Sequence, residues 1–191
     1  METIPICNQS MTIHIQDKLR LELIAEKHAE GLFYAVDHNR EHLSEFLSWV
    51  DNMQSVNDFR NYIKSCELHH LEGEEVSFVI ILDEQVIGRI GLHHLNLQNK
   101  NAAIGYWLSK NAEGKGIITK SCKEILTYGF QDLGLRRIEI KAAVENKRSQ
   151  AIPENLNFVK EGILRQAEWV NNKFLDIFLY SKLNEEWMNN K

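Results

Sequence analysis

A chain of 191 residues, 43% of them hydrophobic, is long enough for one globular domain with a substantial core. Its formal net charge of −5, with lysine and arginine scattered along the sequence, argues against a nucleic-acid or anionic-membrane partner and favours small-molecule or protein substrates. Three widely spaced cysteines predict free thiols, and the opening residues show neither a signal peptide nor a membrane span. We therefore expect a single domain over residues 1–191 and a cytoplasmic location.

The first part of the chain changes from a strand pattern to helix patterns. Residues 1–11 are expected to form a loose tail, and weak alternation from Ile13 to Leu23 predicts a first strand. Apolar residues at helical spacing over 29–36 and 43–50 predict two consecutive helices. Ser55 and Asp58 have the spacing of a capping box and predict a third helix, which the acidic run at 72–75 ends.

Strand patterns follow the third helix. The apolar, β-branched runs Phe78–Leu82 and Val86–Leu92 are joined by residues 83–85 and predict a hairpin of adjacent strands. Residues 96–101 predict the next turn. Beyond it, the apolar positions over 104–108 alternate as in a half-buried strand.

A glycine loop joins that strand to a helix predicted from Ile118 onward. The loop is Glu113-Gly114-Lys115-Gly116, and its glycines permit a sharp turn that leaves the first N–H groups of the helix free. Thr119 adds a hydroxyl and Lys115 a positive charge. Free N–H groups at a helix start favour an anion, so the loop is predicted to hold a pyrophosphate. A tight turn without a ligand is the alternative, and the residues match neither the P-loop nor the dinucleotide-binding fingerprint.

The last third of the chain predicts a strand, a short helix and a hairpin. In Arg137–Val144, the apolar residues Ile138, Ile140, Ala142 and Val144 occupy alternate positions, as in a strand. Asn146 to Phe158 is expected to be a loop and a short helix, with Pro153 tolerated in the first turn if Ser149 is the N-cap. Two final strands, around 163–170 and 174–183, are separated by the turn residues Asn171-Asn172-Lys173.

Together these motifs resemble the GNAT acetyltransferase superfamily, and within it the RimJ/RimL-type N-acetyltransferases of ribosomal proteins. The similarity covers nearly all of residues 12–187. It rests on IGYWL at 104–108, EGKGIIT at 113–119, LRRIEI at 135–140, the pair Asn146 and Ser149, and EGILRQAEWVN at 161–171. The family's loop pattern is Gln/Arg-x-x-Gly-x-Gly/Ala. It falls on residues 113–118, where Glu113 and Ile118 depart from it.

The resemblance implies a mixed α/β, three-layer fold with helices on both faces of a seven-stranded, mostly antiparallel sheet. The sheet is expected to split after the strand carrying Tyr106, with acetyl-coenzyme A in the split and no metal. The resemblance also implies that Asn146 holds the pantetheine arm and that Ser149 hydrogen-bonds or protonates the departing thiolate; a turn and a cap without catalytic role are the alternative. The residues expected to bind the coenzyme are Trp107, Leu108, Glu113, Gly114, Lys115, Gly116, Ile117, Ile118, Thr119, Asn146 and Ser149.

The sequence does not identify the residue that accepts the proton of the attacking amine. Relatives in this family often carry a glutamate just before the Ile-Gly-Tyr-Trp strand, where this chain has Ala103. His93 and His94 on the neighbouring strand are candidates, because neutral imidazole accepts a proton near pH 7. The alternatives are two histidines without a catalytic role and a water chain to the bulk, since an N-terminal α-amine has a pKa of roughly 8.

The first functional hypothesis is direct acetyl transfer, in a ternary complex, from acetyl-coenzyme A to the N-terminal α-amine of a ribosomal protein. A small-amine acetyltransferase acting on a polyamine, an amino acid or an aminoglycoside, and a non-catalytic acetyl-coenzyme A binder, are the alternatives. An acetyl-cysteine intermediate is not expected from Cys7, Cys66 or Cys122. The acidic residues Asp37, Glu41 and Asp176 are expected near a cationic acceptor, and a homodimer is compatible with the sequence.

Overall fold

The computed structural model describes residues 11–189, so all but Met11 of the tail predicted for residues 1–11 lies outside the described residues. The strands are β1 (Thr12–Gln16), β2 (Leu19–Leu23), β3 (Val76–Leu82), β4 (Gln85–Asn96), β5 (Asn101–Leu108), β6 (Arg137–Ala143), β7 (Val159–Val170) and β8 (Lys173–Leu183). The α-helices are α1 (Ala29–Asp37), α2 (Arg40–Ser44), α3 (Val56–Leu71), α4 (Ile117–Thr127), α5 (Lys147–Asn155) and α6 (Asn184–Met188).

One sheet contains all these strands in the order β1-β2-β3-β4-β5-β6-β8-β7. Neighbouring strands are antiparallel except for β5 and β6, which are parallel. The predicted mixed α/β class with a mostly antiparallel sheet is confirmed, with eight strands in place of seven.

The additional strand comes from the segment predicted as one strand over Ile13–Leu23. The chain reverses there, with Lys18 in the left-handed region at φ 63°. Ile13 pairs with Leu21 across the resulting antiparallel hairpin. The single-strand prediction was wrong because one weak alternation pattern runs through two short strands and the turn between them.

Two helix predictions also need correction. The helix expected over 43–50 ends at Ser44, whose carbonyl accepts a hydrogen bond from the distant Asn171 side chain at 2.9 Å. In α5, Asn146 is the N-cap, and its side chain accepts a hydrogen bond from the Ser149 N–H at 3.0 Å. Ser149 therefore lies inside the helix, and Pro153 lies beyond the first turn. The end of α2 coincides with a partner that is distant in the sequence. The second error is local, because Asn146 and Ser149 are both residue types that cap helices and the wrong one was chosen.

Helices cover both faces of the sheet because side chains alternate between faces along each strand. Phe78 and Ile80 of β3 belong to the core that packs under α4, together with the buried Ile125. Val79 and Ile81 of the same strand belong to the core under α1 and α3. In the described residues, no helix is both long enough and apolar enough to cross a membrane.

The predicted start of α3 is confirmed, with Ser55 as its N-cap and Asp58 reaching back to the backbone before the helix. The Ser55 hydroxyl accepts a hydrogen bond from the Asp58 N–H at 3.3 Å, and the Asp58 carboxylate accepts one from the Gln54 N–H at 3.0 Å. These bonds satisfy N–H groups that a helix start leaves without partners.

Substitution Ser55→Ala is expected to lower the free energy of unfolding by about 1 kcal/mol, because it removes the cap. Ser65→Ala, at an exposed position within the same helix, serves as the control and is expected to be neutral or slightly stabilising, since alanine has the higher helix propensity. Urea unfolding of both variants measures the difference. Equal stabilities of the two variants would show that the cap contributes nothing.

Candidate active site

The parallel strands β5 and β6 separate half-way along their length. Their pairing runs from Asn101 opposite Arg137 to Ile104 opposite Ile140 and then stops, although β5 continues to Leu108 and β6 to Ala143. The residues beyond the last pair line an open cleft of about 1020 Å³. The unpaired backbone groups along its walls can bind an extended ligand that carries amide groups.

The glycine loop lies at one side of this cleft. Gly114 and Gly116 adopt left-handed conformations at φ 73° and 69°, and a Cβ built on either would meet no heavy atom within 4 Å. Gly116 precedes α4, and within residues 11–189 no side chain makes a capping hydrogen bond to the helix start. The first N–H groups of α4 therefore remain available beside open space, an arrangement that suits a phosphate group.

Charged side chains connect the glycine loop to two other elements. One oxygen of Glu113 lies 3.0 Å from His42 Nε2 of α2, and the other accepts a hydrogen bond from Arg148 of α5 at 3.3 Å. Arg148 also donates to Glu45 at 3.3 Å. The Glu113 carboxylate, where the family pattern has Gln or Arg, thus contacts a histidine on one side and an arginine on the other.

Ser149 is held at the cleft by two anchors. Its N–H donates to the Asn146 side chain, and its carbonyl accepts a hydrogen bond from the Tyr106 hydroxyl at 3.0 Å. The two hydroxyls, Tyr106 Oη and Ser149 Oγ, lie 3.2 Å apart. Burial raises the pKa of Tyr106, so its hydroxyl keeps its proton at neutral pH.

The two predicted histidines lie at an irregularity of β4. The pairing with β5 shifts between His93 and Asn96, and His94 has a positive φ of 52°. His93 is half-buried and His94 is exposed. Burial, then the neighbouring His94 and Arg89, lowers the pKa of His93 to about 4, so its ring is neutral at pH 7. A base of such low pKa withdraws a proton from an amine only weakly.

Both histidines also line a second, smaller cavity of about 450 Å³, together with His69, Glu74 and Glu75. Within residues 11–189, one group of three side chains has the composition and spacing of possible metal ligands. Its members are His69, Glu72 and Glu74, and their potential ligand atoms lie within 4.8 Å of one another. None of these three lines the main cleft, so the group is separate from the candidate site.

Most of the predicted site residues meet in the cleft. Its lining includes His93, His94, Trp107, Leu108, Glu113, Gly114, Gly116, Ile117, Ile118, Thr119, Asn146 and Ser149. Lys115 is not part of the lining, and its ammonium group donates to the Asn111 carbonyl at 2.9 Å. The roles of these residues stay predictions.

Glu168 of β7 is a carboxylate that lines the cleft and that no sequence pattern had indicated. The acidic residues expected there, Asp37, Glu41 and Asp176, do not line it. Asp37 pairs with Arg40 at 2.8 Å, and Asp176 accepts a hydrogen bond from the Gln166 N–H at 2.8 Å. Glu168 lay within the EGILRQAEWVN motif, but its orientation depends on an irregular pairing of β7 between Leu164 and Glu168 that the sequence does not reveal.

The described cysteines have no features of acyl carriers. Cys66 and Cys122 are unpaired and buried. Burial raises the pKa of the Cys66 thiol to about 11 and raises that of Cys122 as well. A buried, protonated thiol is a poor nucleophile, in agreement with the expectation that neither carries an acetyl group. Cys7 lies outside the described residues.

Comparison with known proteins identifies the family. The profile of the acetyltransferase (GNAT) domain matches residues 18–159. The chain belongs to the GNAT acetyltransferase family. It is therefore an enzyme that uses acetyl-coenzyme A as acyl donor, and the sequence-based prediction of family, enzyme class and co-substrate is confirmed.

Individual GNAT relatives cover almost the whole chain. YdaF of Bacillus subtilis (strain 168), named provisionally as a ribosomal N-acetyltransferase, is 34% identical over 94% of this chain and 99% of its own. A ribosomal-protein-serine acetyltransferase of Escherichia coli (strain K12) is 32% identical over 90% of this chain and 96% of its own. The solved structure of RimL, a ribosomal-protein α-N-acetyltransferase in complex with coenzyme A, superposes with a TM-score of 0.88. It is 27% identical and covers 92% of this chain and 99% of its own.

The geometry of the GNAT cleft suits this co-substrate. Coenzyme A carries a diphosphate and an amide-containing pantetheine arm. The open space at Gly114 and Gly116, beside the free N–H groups of α4, can hold the diphosphate. The free edges of β5 and β6 can pair with the amides of the arm.

Substitution Gly116→Val is expected to abolish binding of coenzyme A, because the added side chain would fill the space in which the diphosphate approaches the backbone. It would also strain the left-handed backbone by about 1–2 kcal/mol. Gly134→Val is a matched control, since Gly134 has φ 65°, open space around its Cα and no place in the cleft.

Isothermal titration calorimetry with coenzyme A measures the affinity of both variants, and circular dichroism confirms that they are folded. Loss of binding is expected for Gly116→Val alone. Unchanged affinity of a folded Gly116→Val variant would contradict the assignment of the loop to the diphosphate.

Proposed function

We propose that this enzyme acetylates the N-terminal α-amine of a protein, and that its acceptor is a ribosomal protein. The observation that carries the proposal is the similarity of nearly the full chain to two proteins named for ribosomal N-acetylation, at 34% and 32% identity. The open cleft supports it as well, because a protein N-terminus needs access to the thioester from outside the molecule. Cys66 and Cys122, the cysteines among the described residues, are unpaired, as the proposed cytoplasmic location requires. The homodimer stays a prediction.

Donor binding in this proposal depends mainly on the backbone. Acetyl-coenzyme A supplies the activated acetyl group as a thioester. The N–H groups at the start of α4 bind its diphosphate, and Asn146 contacts the pantetheine arm from the start of α5. Trp107 and Leu108 line the free half of β5, where the arm lies. These contacts bring the thioester toward Ser149 on the facing wall.

The acceptor amine enters where charged and polar side chains converge. Glu168 offers a carboxylate that attracts an ammonium group, and neutral His93 offers a lone pair that accepts a hydrogen bond from the amine. An α-amine with a pKa of roughly 8 is already partly neutral at pH 7, so it needs little help to lose its proton. We propose that water carries that proton to the bulk past His93 and His94.

Ser149 in this proposal assists the departure of coenzyme A. Attack of the amine on the thioester develops negative charge on the sulfur as the carbon–sulfur bond breaks. The Ser149 hydroxyl then donates a hydrogen bond to the sulfur or gives it a proton. The hydroxyl is not needed as a helix cap, because Asn146 fills that position.

The choice of acceptor can be tested by an acetylation screen. Peptides with the N-terminal sequences of ribosomal proteins are compared with spermidine, free amino acids and an aminoglycoside, as ratios of kcat/KM. We expect the peptides to exceed every small amine by at least about 10-fold. A peptide whose α-amine is blocked, with an internal lysine left free, is the control and should remain unmodified. Higher kcat/KM for spermidine than for all peptides would replace this proposal by the small-amine alternative.

Substitution Ser149→Ala is expected to lower kcat by about 10- to 100-fold, the low end for a general acid because a thiolate leaves readily. The KM for acetyl-coenzyme A should barely change, since the interaction strengthens only as charge develops on sulfur. The melting temperature should also stay close to that of the parent, because the Asn146 cap remains. Ser149→Cys keeps a weak donor and should recover part of the rate. A parental kcat for Ser149→Ala at saturating amine would contradict the proposed role.

A further inference from the structure

We infer that Tyr106 is a positioning residue that fixes the Ser149 hydroxyl at the reacting sulfur. The inference rests on the role proposed for Ser149. Tyr106 lies on the half of β5 that has no β6 partner, and Ser149 lies in the first turn of α5, which follows β6. The contact between them therefore joins the two walls of the cleft.

Pro153 explains why a tyrosine is needed at this point. In a regular helix, the N–H of residue 153 would donate to the carbonyl of residue 149. Proline has no N–H, so the Ser149 carbonyl loses its helical partner. The Tyr106 hydroxyl donates to this carbonyl at 3.0 Å and takes the place of the missing donor.

The same hydroxyl also restrains the Ser149 side chain. Because the Tyr106 proton points to the Ser149 carbonyl, Tyr106 Oη is left as an acceptor, and Ser149 Oγ lies 3.2 Å from it. The Ser149 hydroxyl can therefore donate to Tyr106 before the reaction. As charge develops on the sulfur, the hydroxyl hydrogen turns from Tyr106 to the sulfur while Oγ stays in place.

The backbone of Ser149 is fixed on both sides of that hydroxyl. Its N–H donates to the Asn146 side chain at 3.0 Å, and its carbonyl is held by Tyr106. The remaining freedom is rotation of the hydroxyl hydrogen and of the side chain about the Cα–Cβ bond. Contact with Tyr106 Oη limits the second rotation, which is the property that a positioned donor requires.

Substitution Tyr106→Phe tests the inference, since it removes one oxygen and keeps the packing of the ring. We expect kcat to fall about 10-fold, the effect of losing one hydrogen bond, with the KM for acetyl-coenzyme A within about 2-fold of the parent. The double variant Tyr106→Phe with Ser149→Ala should be no slower than Ser149→Ala alone, because both changes act on one hydroxyl. Tyr128→Phe, which removes a hydroxyl outside the cleft, is the control and should keep parental kinetics.

A second pair of variants separates positioning from helix stability. Pro153→Ala returns an N–H to the helix and gives the Ser149 carbonyl a donor of its own. If Tyr106 only replaces that donor, adding Pro153→Ala to Tyr106→Phe would restore kcat and overturn the inference. We expect the combined variant to stay slow while its melting temperature and its calorimetric affinity for coenzyme A match those of Pro153→Ala.

Two further outcomes distinguish this inference from the proposal on which it rests. A parental kcat for Tyr106→Phe, in a series where Ser149→Ala is slow, would overturn the inference about Tyr106 and leave the role of Ser149 intact. A parental kcat for Ser149→Ala would remove the proposed role of Ser149, and the inference about Tyr106 would fail with it.

Discussion

The structure depends on the separation of two parallel strands that share only half their length. Beyond Ile104 and Ile140, β5 and β6 no longer form hydrogen bonds with each other. Unpaired backbone groups at a strand edge cost free energy unless another polar group or water forms hydrogen bonds with them. Gly105 is the first residue of β5 past that point, and a Cβ there would lie 3.0 Å from His93 Nε2. The absence of a side chain at Gly105 thus allows the His93 ring to reach the cleft at the point where the strands part.

The free half of β5 keeps its position because both of its faces are packed. Trp107 belongs to the core under α1 and α3, where its ring lies 6.1 Å from that of Trp49. Leu108 belongs to the other core, under α4, and Tyr106 packs against the same cluster. A strand anchored on alternate residues into two cores stays extended without a second neighbour. The cleft is therefore built before a ligand arrives.

Local patterns in the sequence predicted the elements whose causes are local. The N-cap at Ser55, the sharp glycine turn before α4 and the hairpin turn at Asn171 each depend on a few adjacent residues, and each of these local structures was confirmed. The early end of α2, the position of Ser149 within α5 and the orientation of Glu168 were not predicted. The end of α2 coincides with a hydrogen bond from a side chain of the last hairpin, and the orientation of Glu168 depends on an irregular strand pairing; both exist only in the folded chain. The start of α5 is local, but two capping residues three positions apart left it ambiguous. The family motifs identified the cleft residues but not the contacts between them.

The backbone groups of the cleft divide into those with a protein partner and those without one. The Ser149 carbonyl, which Pro153 deprives of its helical donor, receives one from Tyr106 on the opposite wall. Among the described residues, no side chain caps the first N–H groups of α4, although capping residues are common at helix starts and Asn146 supplies a cap to α5. Because a protein normally satisfies its polar backbone groups, the difference is informative. Groups satisfied from across the cleft hold its walls in register, and the groups left open at the glycine loop and along β5 and β6 form the surface to which we propose that the coenzyme binds.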